Sequence, residues 1–80
     1  MTKMPKLKPI EKLADDVQVG DIILAIAEDF QTTGHVSCIL DRKVVLLNLN
    51  HGKSNLHFPN LAIDIRDRTY LGYKVLLRAY

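Results

Sequence analysis

Cysteine is almost absent from this 80-residue chain, which contains only Cys38. A single cysteine cannot form an internal disulfide, so the packing of apolar side chains must stabilise the fold. Long hydrophobic runs are also absent, because the longest, Ile22–Ala27, is far shorter than the ~18–20 residues that span a bilayer. The N-terminus lacks the successive regions of a signal peptide. These absences predict a cytoplasmic protein with no membrane segment.

Positive charge is missing from the middle of the chain, since residues 13–40 contain no Lys or Arg and sum to −5. Residues 1–12 sum to +3 and residues 41–80 to +4, so the net charge of +2 conceals three blocks of alternating sign. Segregated charge bears on the partners of a protein rather than on its fold. We expect residues 1–12 to form a flexible basic tail and residues 13–80 to form one small domain.

Short apolar segments separated by turn residues indicate a mainly β protein. Strand patterns occupy Ile22–Glu28, His35–Leu40, Lys43–Leu49, Asn55–Phe58 and Tyr73–Tyr80, with a strand or a helical turn at Leu61–Ile65. Asp41-Arg42 predicts a hairpin connection, whereas Asp29–Thr33 predicts a polar loop and Thr69–Gly72 a bend. The pattern predicts a small SH3-like barrel or a rolled antiparallel sheet of about five to six strands.

A short helix over Ile10–Ala14, with Pro9 at its first position, is expected to cover one end of the barrel. The first and third predicted strands are apolar on both faces. A barrel interior can bury only one face of each strand. The other face must therefore meet the helix, a second copy of the chain or a partner protein. In the last strand we expect Val75 and Leu77 to point inward.

A Gly-Asp pair opens the first strand in Val19-Gly20-Asp21-Ile22-Ile23, and Gly34-His35-Val36 opens the second after a polar loop. The alternating strand Val44–Leu49 follows. Over residues 17–65 this pattern resembles the KOW-type module, a small SH3-like barrel of transcription elongation factors and ribosomal proteins. The resemblance implies a small barrel and a nucleic-acid-binding role. Loops of that family carry basic residues near the position of Gly34, whereas this half of the chain is acidic, and similar barrels also bind proteins.

Patterns for catalysis or metal binding are weak. His35, His51, His57 and Cys38 are the only soft ligands, and a pair such as His51 and His57 falls short of the four ligands of a structural zinc site. Simple strand alternation places His35 and Cys38 on opposite faces, which argues against a thiol–imidazole pair. The chain shows no nucleophile with its base, no phosphate-binding glycine loop and no cofactor motif. We predict a non-enzyme without cofactor, metal or small-molecule substrate.

Basic and aromatic residues lie close together toward the C-terminus, as single-stranded nucleic-acid binding requires. We predict that contacts with a protein partner or with nucleic acid come from Lys3, Lys6, Lys8, Lys53, Arg66, Arg68, Tyr70, Tyr73 and Arg78. The preferred interpretation is a non-enzymatic accessory subunit, inhibitory or self-assembling, that binds a protein partner or a second copy. The alternative is a KOW-like nucleic-acid-binding module of transcription or translation.

Overall fold

A computed structural model describes residues 7–51 and 59–78 of the chain. A 3-10 turn over Ile10–Lys12 leads into helix α1 (Leu13–Asp16). The strands that follow are β1 (Ile22–Ala27), β2 (Gln31–Leu40), β3 (Lys43–Asn48), β4 (Asn60–Asp64) and β5 (Tyr70–Leu77). The protein is therefore mainly β, as the strand patterns predict. No helix within these ranges is long and apolar enough to cross a membrane.

The strands form one antiparallel sheet in the order β4-β3-β2-β1-β5. Consecutive strands β1 to β4 are neighbours, and β5 returns to pair with the free side of β1. In the part of the chain that the structure describes, β4 and β5 are the two edges and the sheet does not close. The predicted antiparallel sheet is confirmed in this open form. The strand predicted at Asn55–Phe58 lies outside the described residues.

Two segments that were predicted to be a loop and a bend belong largely to strands. Residues 31–33, assigned to a loop by their polarity, belong to β2, because Thr32 is buried opposite Ala25 and bonds to Asn48 in the interior. The predicted bend at Thr69–Gly72 is also wrong, since β5 begins at Tyr70. Gly72 lies inside that strand, where a Cβ atom would stand only 2.7 Å from the carbonyl oxygen of Lys8. Glycine here permits a close approach of two chain segments rather than a bend.

The hairpin connection predicted at Asp41-Arg42 is confirmed. Both residues adopt left-handed backbone conformations, with φ of 46° and 65°. A two-residue connection in which both φ angles are positive is the type I′ turn, whose twist matches that of the flanking strands.

Irregularities in strand pairing change which side chains face the core. Between Val36 and Cys38 a β-bulge adds one residue to β2, so Cys38 lies opposite Val45 and Ile39 opposite the buried Val44. The prediction that His35 and Cys38 lie on opposite faces is therefore wrong: the extra residue places both on the outer face. A second shift in the β1–β5 pairing puts Leu77 opposite Ile22 on the outer face.

Because of that shift, the prediction that Val75 and Leu77 both point inward is only half right. Val75 packs against the core as predicted, whereas Leu77 remains 61% exposed. The inner face of the sheet is closed by the N-terminal segment, whose side chains Ile10, Leu13 and Val17 are buried in the same core.

The N-terminal segment is part of the domain from residue 7 onward. Lys8 pairs with Tyr73 at the edge of β5 through two backbone hydrogen bonds of 3.0 Å. Because Ile10 is also buried, residues 7–12 do not form a free tail, and the predicted boundary at residue 12 falls inside the folded domain. Residues 1–6, with Lys3 and Lys6, lie outside the described residues.

Candidate partner-binding surfaces

The residues predicted to bind a partner separate into two groups. Lys8, Tyr73 and Arg78 meet around the carboxylate of Asp16. Arg66, Arg68 and Tyr70 line an open groove elsewhere on the surface. Lys3, Lys6 and Lys53 lie outside the described residues.

The group around Asp16 is a network of ion pairs and hydrogen bonds that ties the two ends of the domain together. Lys8 Nζ and Tyr73 Oη donate to Asp16 Oδ2 at 3.0 and 2.8 Å, and Arg78 Nη2 donates to Oδ1 at 3.1 Å. Burial raises the pKa of Asp16, but these hydrogen bonds outweigh burial and lower it from 3.8 to about 2. Burial and the bond to Asp16 raise the pKa of Tyr73.

Tyr73 itself is 0% exposed, so its ring offers no face on which a nucleic-acid base could stack. Lys8 and Arg78 likewise direct their charges at acidic groups of the same domain. We therefore interpret this group as structural, and the candidate binding surface loses three of its predicted members.

Asp21, of the Gly-Asp pair that opens β1, belongs to the same network. Its side chain is fully buried, and its Oδ2 accepts the Gln18 backbone N–H at 2.9 Å and Arg78 Nη1 at 3.2 Å. Gly20 before it has a φ of 102°, a conformation that favours glycine. The Gly-Asp pair thus builds the turn into β1 and anchors Arg78, which follows β5.

The groove lies at the connection between the end of β4 and the start of β5. It has a volume of about 570 Å³, which is in the size range of ligand-binding clefts. Its apolar lining comes from the 3-10 turn, from the β4–β5 connection and from β5, through Ile10, Ile65, Tyr70 and Leu71. Charged side chains complete it: Glu11, Arg42, Arg66, Asp67 and Arg68.

Two local turns hold the charged β4–β5 connection in place. Arg66 donates from Nε and Nη2 to the two carboxylate oxygens of Asp64 at 2.9 and 2.8 Å. These bonds hold the pKa of Asp64 well below its usual range and raise that of Arg66. Hydrogen bonds from the Thr69 side chain and from its backbone N–H, which donates to Asp67 at 2.8 Å, lower the pKa of Asp67. The positive charge of Arg66 is thereby largely compensated within its own loop.

Arg42 is a member of the groove that the sequence analysis did not include. It lies 24 positions before Arg66 and reaches the groove because its carbonyl oxygen accepts the Ile65 backbone N–H at 3.0 Å. A left-handed conformation costs a non-glycine residue about 1–2 kcal/mol, and here the strained position carries a guanidinium. The sequence signal that could have identified Arg42 is an arginine where a type I′ turn favours glycine.

An acidic hairpin tip lies beside the groove. Residues 28–30 connect β1 to β2, with Glu28 and Asp29 at the tip. Ala27 closes the hairpin by donating its backbone N–H to the Phe30 carbonyl at 2.8 Å. The Phe30 ring packs edge-on against Tyr70 of the groove, with ring centroids 5.8 Å apart. Neither tip carboxylate forms an ion pair with any described residue, and the same is true of Arg42 and Arg68.

The outer face of the sheet is a second candidate surface. Ile22, Leu24 and Ile26 point outward from β1 and are only half-buried. Leu47 of β3 and Leu77 of β5 extend this apolar area and are 48% and 61% exposed. Strand β1 was expected to be covered on both faces, and within the described residues only its inner face is fully covered.

The bulge in β2 brings His35 and Cys38 to this same outer face. They do not form part of a metal-binding group, since no cluster of three or more potential ligands occurs among the residues that the structure describes. His51 is exposed after β3, and His57 lies outside the described ranges. Comparisons of the chain with models of protein families, with curated proteins and with solved structures find no match.

Proposed function

We propose that this protein is a non-enzymatic β-sheet module that acts as an accessory subunit by binding another protein or a second copy of itself. The observation that carries the proposal is the apolar outer face formed by Ile22, Leu24, Ile26, Leu47 and Leu77. Large exposed apolar areas on a small domain mark interaction surfaces. As part of this proposal the compartment is the cytoplasm, which agrees with the single cysteine.

The energetic argument rests on the exposed leucines. Full burial of a leucine side chain contributes about 1.5–3 kcal/mol, so covering the exposed half of Leu47 and of Leu77 contributes roughly 1 kcal/mol each. The half-buried isoleucines of β1 lie next to them and add to this area. No charged side chain points outward from β1 or from the middle of β2, but Lys74 of β5 lies opposite Leu24 on the same face. A partner that covers this centre must therefore leave the Lys74 ammonium in water or supply an acidic group for it.

The test compares two lysine substitutions, each of which replaces an exposed aliphatic side chain. Leu47→Lys places a charge on the outer face, and Val19→Lys, at a position that is 58% exposed before β1, is the matched control. A partner captured from the native host is purified and titrated against wild type and both variants. We expect Leu47→Lys to weaken direct binding by at least about tenfold and Val19→Lys to leave it unchanged. Equal binding by all three proteins contradicts the use of this face.

A second candidate function is single-stranded nucleic-acid binding, in line with the resemblance to KOW-type modules. It is supported by the convergence of Arg42, Arg66 and Arg68 in one groove; Tyr70 beside them is only 8% exposed and, like Tyr73, offers little ring surface for stacking. Glu11 and Asp67 interrupt this row of cations, which is why we rank it second. A salt series with single-stranded oligonucleotides tests it: we expect affinity to fall steeply with salt in wild type and to be lost in Arg42→Glu/Arg68→Glu. Negligible binding at low salt contradicts it.

A further inference from the structure

Charges of opposite sign remain uncompensated on two adjacent parts of the surface. The hairpin tip carries the exposed carboxylates of Glu28 and Asp29, and the groove rim carries the exposed guanidiniums of Arg42 and Arg68. Within the described ranges none of these four side chains has an ion-pair partner. By contrast, Arg66 is already paired with Asp64, so Arg42 and Arg68 are the groove arginines without an ion pair among the described residues. The groove lining also holds the carboxylates of Glu11 and Asp67.

An apolar area separates the acidic tip from the basic rim. Phe30 follows the tip and is 43% exposed, and Leu71 of the groove is 61% exposed. Tyr70, which contacts Phe30, also lines the groove and so connects the two regions. The surface thus has an acidic side, an apolar centre and a basic side.

A surface arranged in this order is complementary to itself. Rotation by 180° about an axis through the apolar centre places the acidic side of one copy on the basic side of the other, and the reverse contact forms at the same time. Within one molecule the tip, held by the Ala27–Phe30 backbone hydrogen bond, forms no ion pair with the rim.

We propose that two copies of this chain pair about such a two-fold axis, each placing Glu28 and Asp29 on the Arg42–Arg68 rim of the other. Phe30 and Leu71 form the apolar centre of the contact, and charged residues surround it. Protein interfaces commonly have such an apolar centre with a polar periphery. This surface is separate from the outer face of the sheet, so the inference holds or fails independently of the site used by the proposed function.

The groove lining favours a second copy over a polyanion. Glu11 and Asp67 stand in the same lining as the arginines and repel a phosphate backbone that runs along it. In the proposed pair the two carboxylates of the short hairpin tip contact Arg42 and Arg68, whereas a polyanion that runs along the groove also passes Glu11 and Asp67. The strained backbone at Arg42, which places one of these guanidiniums at the rim, is consistent with a binding role.

The test is a charge exchange measured by sedimentation velocity and light scattering across a concentration series. We expect wild type to dimerise and its dissociation constant to rise with ionic strength. Glu28→Lys/Asp29→Lys and Arg42→Glu/Arg68→Glu should each weaken self-association by at least about tenfold. Mixing the two variants should restore a dimer, because both contacts of the mixed pair are then again between opposite charges.

Two controls make the outcome decisive. Lys12→Glu/Lys74→Glu changes the net charge by the same amount as Arg42→Glu/Arg68→Glu but lies outside the groove lining, and it should leave the dimer intact. Leu47→Lys, on the outer face, should also leave it intact. A dimer that Leu47→Lys dissociates and the charge variants do not would overturn this inference while supporting the proposed function.

Three further results would also overturn it: a wild type that stays monomeric at all concentrations, a mixture that fails to dimerise, or equal weakening by the control. Single-stranded oligonucleotides are titrated against the same proteins. Binding that depends on Arg42 and Arg68 in a monomeric wild type would assign the groove to nucleic acid and overturn the second-copy assignment.

Discussion

Replacing Arg78 by methionine should destabilise the domain far more than replacing an arginine on its surface. Arg78 donates to the buried carboxylate of Asp21 and to both the carboxylate and the carbonyl oxygen of Asp16. Methionine keeps an unbranched apolar side chain and removes the charge and the donors. The change therefore leaves Asp21, which is 0% exposed, without its guanidinium partner.

The size of the effect follows from the burial of the two partners. Breaking a fully buried ion pair costs about 3–5 kcal/mol, because the remaining charge stays buried and uncompensated. The Arg78 side chain is 31% exposed, so water replaces part of the lost interaction, and we expect a loss of about 2–3 kcal/mol. A domain of this size has a total stability of roughly 4–12 kcal/mol. The expected decrease in Tm is about 10–20 °C.

Thermal unfolding followed by circular dichroism and urea titration measure the loss. Arg68→Met is the control, since Arg68 is exposed and its change should stay within about 0.5 kcal/mol. The double variant Asp21→Asn/Arg78→Met should be more stable than Arg78→Met by at least about 1 kcal/mol, because the buried charge of Asp21 is then removed as well. If Arg78→Met and Arg68→Met are equally stable, Arg78 does not compensate Asp21 and the structural assignment of this network is wrong.

Three further predictions concern acid stability, packing and the strained turn. The pKa of Asp16 is lowered to about 2, so its ionised form adds on the order of 1 kcal/mol to the free energy of unfolding. This contribution is complete above about pH 4 and is lost as the pH falls through about 2. Asp16→Asn should therefore flatten the acidic part of a profile of stability against pH, measured by urea unfolding. Gly34→Ala should cost about 1–3 kcal/mol in urea unfolding, because its Cβ would stand 2.6 Å from Cβ of Leu46, whereas Ser37→Ala at an exposed position should change little. Arg42→Gly should stabilise the fold by roughly 0.5 kcal/mol while weakening self-association severalfold, and a destabilised variant would contradict strain at this turn.

The sheet was predictable where local pattern and local structure agree. The apolar run of β1, the alternation in β3 and the hairpin at Asp41-Arg42 each identify their element, because strand period and turn type are set by near neighbours. Polarity was misleading at the start of β2. Thr32 looks like a loop residue, yet it lies in the core because its hydroxyl bonds to Asn48, 16 positions away.

The bulge after Val36 shows a different limit. A single extra residue reverses the face of every later side chain in β2, and nothing in the local composition marks its position. Cys38 therefore lies on the same face as His35, whereas regular alternation predicts opposite faces for the two residues. Strand alternation determines faces only as long as the register of pairing is regular.

For the candidate site, the sequence identified the arginines and tyrosines of the C-terminal half but not their separate roles. Arg66, Arg68 and Tyr70 line the groove, whereas Tyr73 and Arg78 are bonded to Asp16, which lies 57 and 62 positions earlier in the chain. The charge of a residue is readable from its type. Its availability for a partner depends on which distant carboxylate the fold places next to it.

The sequence by itself determined the mainly β class, the short connections and the uneven distribution of charge, because these follow from side-chain type and near-neighbour spacing. Only the tertiary structure decided which cationic side chains form ion pairs within the domain and which remain unpaired at its surface. The pairing of β5 with β1 carries Arg78 to the buried Asp21, and the β2–β3 turn carries Arg42 to the groove. Coulomb interactions weaken with distance in space and are screened by salt beyond about 10 Å, so they depend on these long-range placements and not on order along the chain.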